Sequence, residues 1–145
     1  MNLESVIDTN VMISGMLWQG IPFRLLRWVE EGNLTIYSSL DIMTEVYRVL
    51  NYPKFQKYID KRHTSPEELF AKIESLCTII HVGNVLKGAC PDADDDKFLS
   101  CALTSDVEFL VSGDKHLLDL KQYQSVRILT AREFYQELLG TSLNS

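Results

Sequence analysis

The sequence predicts an α/β fold, a mostly parallel sheet with helices on both faces, and three observations predict it. Short β-forming apolar runs alternate with longer segments of helical period along the chain. No internal repeat, low-complexity tract or linker interrupts the alternation. Two of the apolar runs lead straight into an aspartate, at the strand ends where an open parallel sheet binds its ligands. With 145 residues and 46% hydrophobic content, the chain suits one domain with a substantial core. Residues 1–140 are expected to form it, and 141–145 to fray as a tail.

Each element has its own signal. Leu3 to Ile7 reads as a buried strand, and after a loop Pro22 opens a periodic segment, Phe23 to Val29, that stops at Gly32. Leu34 to Ser38 is a second strand. Ser39 caps a helix carrying Ile42, Met43, Val46, Val49 and Leu50, which halts before Pro53. Lys54 to Asp60 is a short helix, and Ser65-Pro66-Glu67-Glu68 is a capping box that launches another to about Leu76; these two are expected to pair as a helical hairpin. Thr78 to Val82 is a strand, Gly83 to Cys90 a loop, Asp95 to Thr104 a helix and Glu108 to Ser112 a strand. Val126 to Leu129 is the last strand, before a second capping box, Thr130-Ala131-Arg132-Glu133.

Composition excludes several settings. No apolar run approaches the roughly 18 residues of a membrane span, and the N-terminus has Asn2 and Glu4 in place of a basic leader, so a cytoplasmic protein is expected. Cys77, Cys90 and Cys101 are odd in number and lack zinc-site spacing, which points to buried thiols. The net charge of −6 opposes indiscriminate polyanion binding, while leaving room for a nucleic acid held through metal ions and a local basic patch.

Four acids stand out. Asp8 follows the first strand and Asp114 follows Phe109-Leu110-Val111-Ser112-Gly113, although aspartate in such loops also caps helices. Glu45 lies among Ile42, Val46 and Val49 at the edge of a buried stripe, where a dry unpaired carboxylate would cost several kcal/mol. Asp95 shares the apolar face of Phe98, Leu99, Ala102 and Leu103, whereas Asp94 and Asp96 are assigned to capping and, with Asp92, to complementing the helix dipole. With no compensating buried Lys or Arg near them in sequence, inward carboxylates call for protons or cations, and hard oxygen donors select Mg²⁺ or Mn²⁺. Phosphodiester hydrolysis is the chemistry such a site supports.

These residues carry a family resemblance. VIDTNVMIS, then Ser39 to Glu45 with Val49 to Phe55 downstream, then PDADDDKFLSCAL, then FLVSGDKHLL, resemble in order the PIN-domain ribonucleases, and within them the VapC-like toxins of toxin–antitoxin systems. The resemblance implies a three-layer fold with a five-stranded, mostly parallel sheet. It also implies Asp8, Glu45, Asp95 and Asp114 as catalytic metal ligands, supported by Asn10 and Ser112 and, as a weaker candidate, Thr9. The implied activity is metal-dependent endonucleolytic hydrolysis of single-stranded RNA that leaves a 5′-phosphate, with a cognate antitoxin and a homodimer as expected partners. One departure matters: where relatives read GDxDLL, His116 replaces the second acid, removing an oxygen ligand that a second ion would use.

Arg48, Lys54, Lys57, Lys61 and Arg62 are interleaved with Tyr47, Tyr52, Phe55 and Tyr58, the composition that tracks a single strand, and equally that of a solvated hairpin with aromatic core residues. A haloacid-dehalogenase-like phosphatase would need an acid where Asn10 stands, and a phosphoacceptor receiver would need paired acids at the first strand. A catalytically inactive PIN-like module that binds RNA or protein is the remaining alternative, and the four intact acids oppose it.

Overall fold

β1 (Leu3–Ile7) is central because its sequence can be buried on both sides. Ser5, Val6 and Ile7 are all buried although successive residues point to opposite faces, so both faces are covered. The computed structural model describes residues 2–83, 87–90 and 93–144, with side chains to Gly140. After β1 come α1 (Thr9–Leu17), α2 (Ile21–Glu30), β2 (Leu34–Ser39), α3 (Leu40–Leu50), α4 (Pro53–Lys61), α5 (Pro66–Leu76) and β3 (Cys77–Ile80). A 3₁₀ turn (Ala93–Asp95) leads into α6 (Asp96–Ser105), followed by β4 (Phe109–Val111), α7 (Lys115–Leu120), β5 (Gln122–Tyr123), β6 (Val126–Leu129) and α8 (Ala131–Asn144). Asn84, Val85 and Leu86 of the expected loop, and Pro91 and Asp92 of the acidic motif, lie outside the described residues.

The sheet order is β3-β2-β1-β4-β6-β5. The five expected strands are all parallel to their neighbours, and β5, a sixth, is a two-residue antiparallel strand at the β6 edge. It carried no apolar alternation to announce it. Its turn to β6 places positive-φ backbone at Gln124 instead of the usual glycine or asparagine. The chain moves outward from β1 through β2 to β3, then returns to the other side of β1 at β4. That reversal places a topological switch point between β1 and β4, where such sheets open a crevice at their carboxyl ends.

α6 packs across β1, β2, β4 and β6, while α8 packs on β4 and β6 and against α2. Phe109 meets Phe134 of α8 with ring centroids 5.1 Å apart, and Leu110, pointing the opposite way, is equally buried. α5 has α3 as its main helical neighbour, so it joins the α1–α3 layer instead of forming a self-contained hairpin with α4. α8 continues past Gly140 to Asn144, beyond the point where the tail was expected to fray. No helix among the described residues is long and apolar enough to cross a membrane.

α1 was read as loop, and its burial explains why. Thr9, Val11, Met12, Ile13, Gly15 and Leu17 are buried, so the helix has little polar face and shows almost no 3.6-residue periodicity. Gly15 is where α2 crosses it: a Cβ there would lie 2.6 Å from Leu26 Cδ1 and 2.9 Å from the Pro22 carbonyl oxygen. The carbonyl is backbone and cannot rotate away. Gly15→Ala should therefore destabilise the protein by roughly 1–3 kcal/mol despite its better helix propensity. Thermal unfolding checks this, and an unchanged or higher Tm would show that the α1–α2 crossing is loose.

Candidate functional site

The site is built on the end of β1. Asp8 follows Ile7 with extended backbone, and its amide nitrogen continues the sheet by donating to the Val111 carbonyl at 2.9 Å. Its Oδ1 accepts the Val11 amide at 2.9 Å, capping α1. Its Oδ2 accepts the Ser112 hydroxyl at 2.5 Å and the Gly113 amide at 3.1 Å. The capping reading of Asp8 thus holds for one oxygen, while the other is held by the residues that follow β4. Burial pushes the Asp8 carboxyl above its ordinary 3.8, opposed by the bonds from Ser112, Val11 and Gly113, with the nearby negative charge of Asp114 adding a smaller upward push.

Asp114 repeats the arrangement at the end of β4. Its Oδ1 accepts the amides of His116 at 2.7 Å and Leu117 at 3.4 Å, which starts the six-residue α7 that the sequence did not reveal. Its own amide donates to Ser112 Oγ at 2.9 Å, so one hydroxyl joins the two strand-end acids. Asp114 Oδ2 accepts no hydrogen bond among the described residues. His116 contributes only its backbone here, and its side chain is exposed.

Glu45 reaches the site from α3. Thr9, at the start of α1, donates its hydroxyl to Glu45 Oε2, while Lys97 Nζ lies 2.7 Å and Arg48 3.7 Å from Oε1. Glu45 and Lys97 are only 15% and 16% exposed, so their pairing is shielded from solvent. The sequence reading missed Lys97 as a compensating cation. Its place two residues beyond Asp95, on the solvent side of the first helical turn, gave the only signal. Thr9 is buried and bonded, whereas Asn10 is exposed and makes no side-chain hydrogen bond among the described residues, which reverses their expected ranking.

Asp95 is buried at the entrance of α6, as its stripe position implied. Asp96 differs from expectation: it is buried and accepts the amides of Gly88 at 2.9 Å and Cys90 at 2.8 Å, so it holds the preceding loop instead of capping the helix. Cys90 sits above these acids. Its thiol is pushed up to about 12 by burial first, then by Asp96, with smaller contributions from the charges of Asp95 and Asp114. Burial also raises Cys77 and Cys101 to about 12, and all three thiols are free. Cys77 is only half-buried.

The fold therefore brings Asp8, Asp114, Glu45 and Asp95 toward the same end of the sheet, with Ser112 joining Asp8 to Asp114 and with Thr9 and Lys97 holding Glu45. No three His, Cys, Asp or Glu side chains among the described residues converge closely enough to hold one ion. Apart from Arg48, the basic cluster lies on α4 and its C-cap, elsewhere in the fold. Tyr58 stacks edge-on against Trp18, beyond the last turn of α1, and nine helical residues span about 13 Å from the Asp8 end. Lys54 and Lys57 lie over the rings of Phe55 and Tyr58 on their own helix. Phe55 is buried and Tyr52 exposed, so the aromatics divide between core and surface.

A parallel sheet with carboxylates at the strand ends beside its switch point defines an α/β protein with an acidic site there. The PIN domain family profile matches residues 4–116, and the chain belongs to that family. An uncharacterized protein of Methanocaldococcus jannaschii is 31% identical over 144 residues, covering 93% of this chain and 91% of its own. Two solved structures share the fold. VapBC2 from Rickettsia felis, bound to a DNA fragment from its promoter, superposes with a TM-score of 0.58 at 13% identity, covering 87% of this chain and 97% of that one. The RRP44 PIN domain of T. brucei gives 0.52 at 14% identity, covering 99% and 85%.

The raised Asp8 carboxyl has a pH consequence in the metal-free protein. The folded state keeps this proton where the unfolded chain has lost it, so the resulting stability is complete below 3.8 and is lost as pH rises through the folded value. Asparagine does not titrate. In EDTA, the Tm of Asp8→Asn minus that of wild type should grow more positive between about pH 4 and about pH 7. A pH-independent difference would mean that Asp8 ionises as an ordinary carboxylate.

Proposed function

We propose that the protein is a Mg²⁺- or Mn²⁺-dependent endoribonuclease acting on single-stranded RNA, and the toxin of a toxin–antitoxin pair. The observation that carries the reading is Asp8, a carboxylate buried at the switch point and fixed by three donors, Val11 in α1 and Ser112 and Gly113 just after β4. Burying an acid there costs stability, and a site that binds a cation is a physical reason to bear that cost.

Asp8, Glu45, Asp95 and Asp114 would hold the ion. The donor chemistry fits, since it is all oxygen and suits a hard cation, and Asp114 Oδ2 has no protein donor among the described residues, but the carboxylates would have to draw closer together than they stand in the metal-free fold. Glu45 would have to leave Lys97 to join them, a cation-for-cation exchange that keeps the carboxylate neutralised throughout. When bound, the ion supplies an activated water and stabilises charge at phosphorus. The chain's own residues do the rest. Ser112 and the Gly113 amide aim Asp8, Thr9 aims Glu45, and hydrolysis adds water across the P–O3′ bond to leave a 5′-phosphate.

The reading is tested by incubating an unstructured RNA with purified protein in Mg²⁺, Mn²⁺ or EDTA, beside an identically prepared Asp8→Asn variant. Cleavage should need the metal and fall on the order of 100-fold or more in the variant. Equal activity in the two preparations would remove the catalytic assignment and leave the RNA- or protein-binding module.

Arg48, Lys54, Lys57, Lys61 and Arg62 complete the proposal as bases along which the strand is tracked. Arg48 lies beside Glu45, which gives the patch its link to the acids. Lys54→Glu with Lys57→Glu should weaken RNA binding more at low salt than at high salt. Binding that is equally affected at both would assign α4 to packing. The VapBC2 likeness supports a search for an antitoxin, with a homodimer and a cytoplasmic location as parts of the same proposal.

A further inference from the structure

A groove of 660 Å³ opens on the other side of the acids, lined by Gly20, Arg24, Ser112, Gly113, Ala131 and Arg132 among others. Ser112 and Gly113 form its inner wall, and they are the two residues that hold Asp8 Oδ2. Anything lying in the groove is therefore one residue layer from the Asp8 carboxylate. Its size falls within the range of small-ligand sites.

The charge lining it is positive, in a protein whose net charge is −6. Arg24 and Arg132 are both exposed, and neither is in an ion pair among the described residues, in contrast to Arg48, Lys72, Lys97 and Arg127. Arg24 is steadied instead by the ring of Tyr135, 5.8 Å from its guanidinium carbon. Glu133, the acid nearest to Arg132 in sequence, is engaged by the backbone instead: its carboxylate accepts the amide of Thr130, another residue of the lining, at 3.0 Å in the capping box.

The backbone agrees with the side chains. Gly20 gives α2 no side-chain cap, Pro22 has no N–H, and no protein acceptor meets the Ile21 and Phe23 amides among the described residues. Two guanidiniums and an uncapped helix start thus face one concave surface, an arrangement that recognises phosphate oxygens.

We propose that this groove binds the sugar-phosphate backbone of the RNA strand where it leaves the acid cluster, with Arg24 and Arg132 each contacting a phosphate. The inference rests on the ribonuclease reading and adds the path of the substrate to it. A strand crossing the acids would then run from Arg48 beside Glu45, past Asp8, and out between α2 and α8.

The test is fluorescence anisotropy of a labelled single-stranded oligouridylate titrated with the full chain in EDTA across a salt series. The proteins are wild type, Arg24→Gln, Arg132→Gln, the double variant, and Lys72→Gln, which removes the same charge from the Glu30 ion pair on α5. Each arginine substitution should raise Kd by about threefold to tenfold at low salt and reduce the slope of log K against log salt by about 0.7, the double variant by about 1.4. Lys72→Gln should leave the slope unchanged. Wild-type slopes in the arginine variants would overturn the inference while leaving the ribonuclease reading intact. Equal losses in Lys72→Gln would overturn it too, reducing the effect to net charge. A wild-type protein that binds no RNA would overturn both.

Discussion

The site depends on one hydrogen-bonded carboxylate. Asp8 belongs at once to the sheet through its backbone, to α1 through Oδ1 and to the β4 exit through Oδ2. Because β1 and β4 are hydrogen-bonded neighbours in the core, the position of this carboxylate is set by the most rigid part of the molecule. Ser112 extends the constraint by serving Asp8 with its proton and Asp114 with its lone pair.

The electrostatics follow from this anchoring. Acids drawn to one end of a sheet repel one another, and the metal-free fold meets that repulsion in two ways. Asp8 and Asp96 accept backbone amides at both oxygens and Asp114 at one, while Glu45 pairs with a lysine. Lys97 thus lets the pocket fold without an ion, while the ion pair it makes is one that a divalent cation can replace. The exposed guanidiniums at one side and Arg48 at the other leave positive charge flanking the acidic centre, which suits a polyanion whose scissile phosphate must approach negative side chains.

Much of this was legible in the chain. The strand-end aspartates and the stripe positions of Glu45 and Asp95 marked the acids, and the five parallel strands were readable from their apolar runs. The failures have physical causes. α1 is buried nearly all round and so lost its period, and α7 is a single capped stretch too short to show one. Asp96 was read as a helix cap because sequence position cannot distinguish a first-turn acid facing solvent from one folded back onto a loop. Thr9 and Asn10 are adjacent, and only the angle at which α3 approaches α1 decided which would meet Glu45.

The sequence by itself determined the βα alternation and that Asp8, Glu45 and Asp95 would be drawn toward the interior, since both follow from local periodicity and strand-end position. Tertiary structure alone decided that β4 would return beside β1, and with it that Ser112 would bind an acid 104 positions away. It also decided that Lys97 would face Glu45, and that Arg24 and Arg132 would share a groove. Those pairings depend on strand order and helix crossing, which arise from packing the whole core and leave no mark on the residues nearby in the chain.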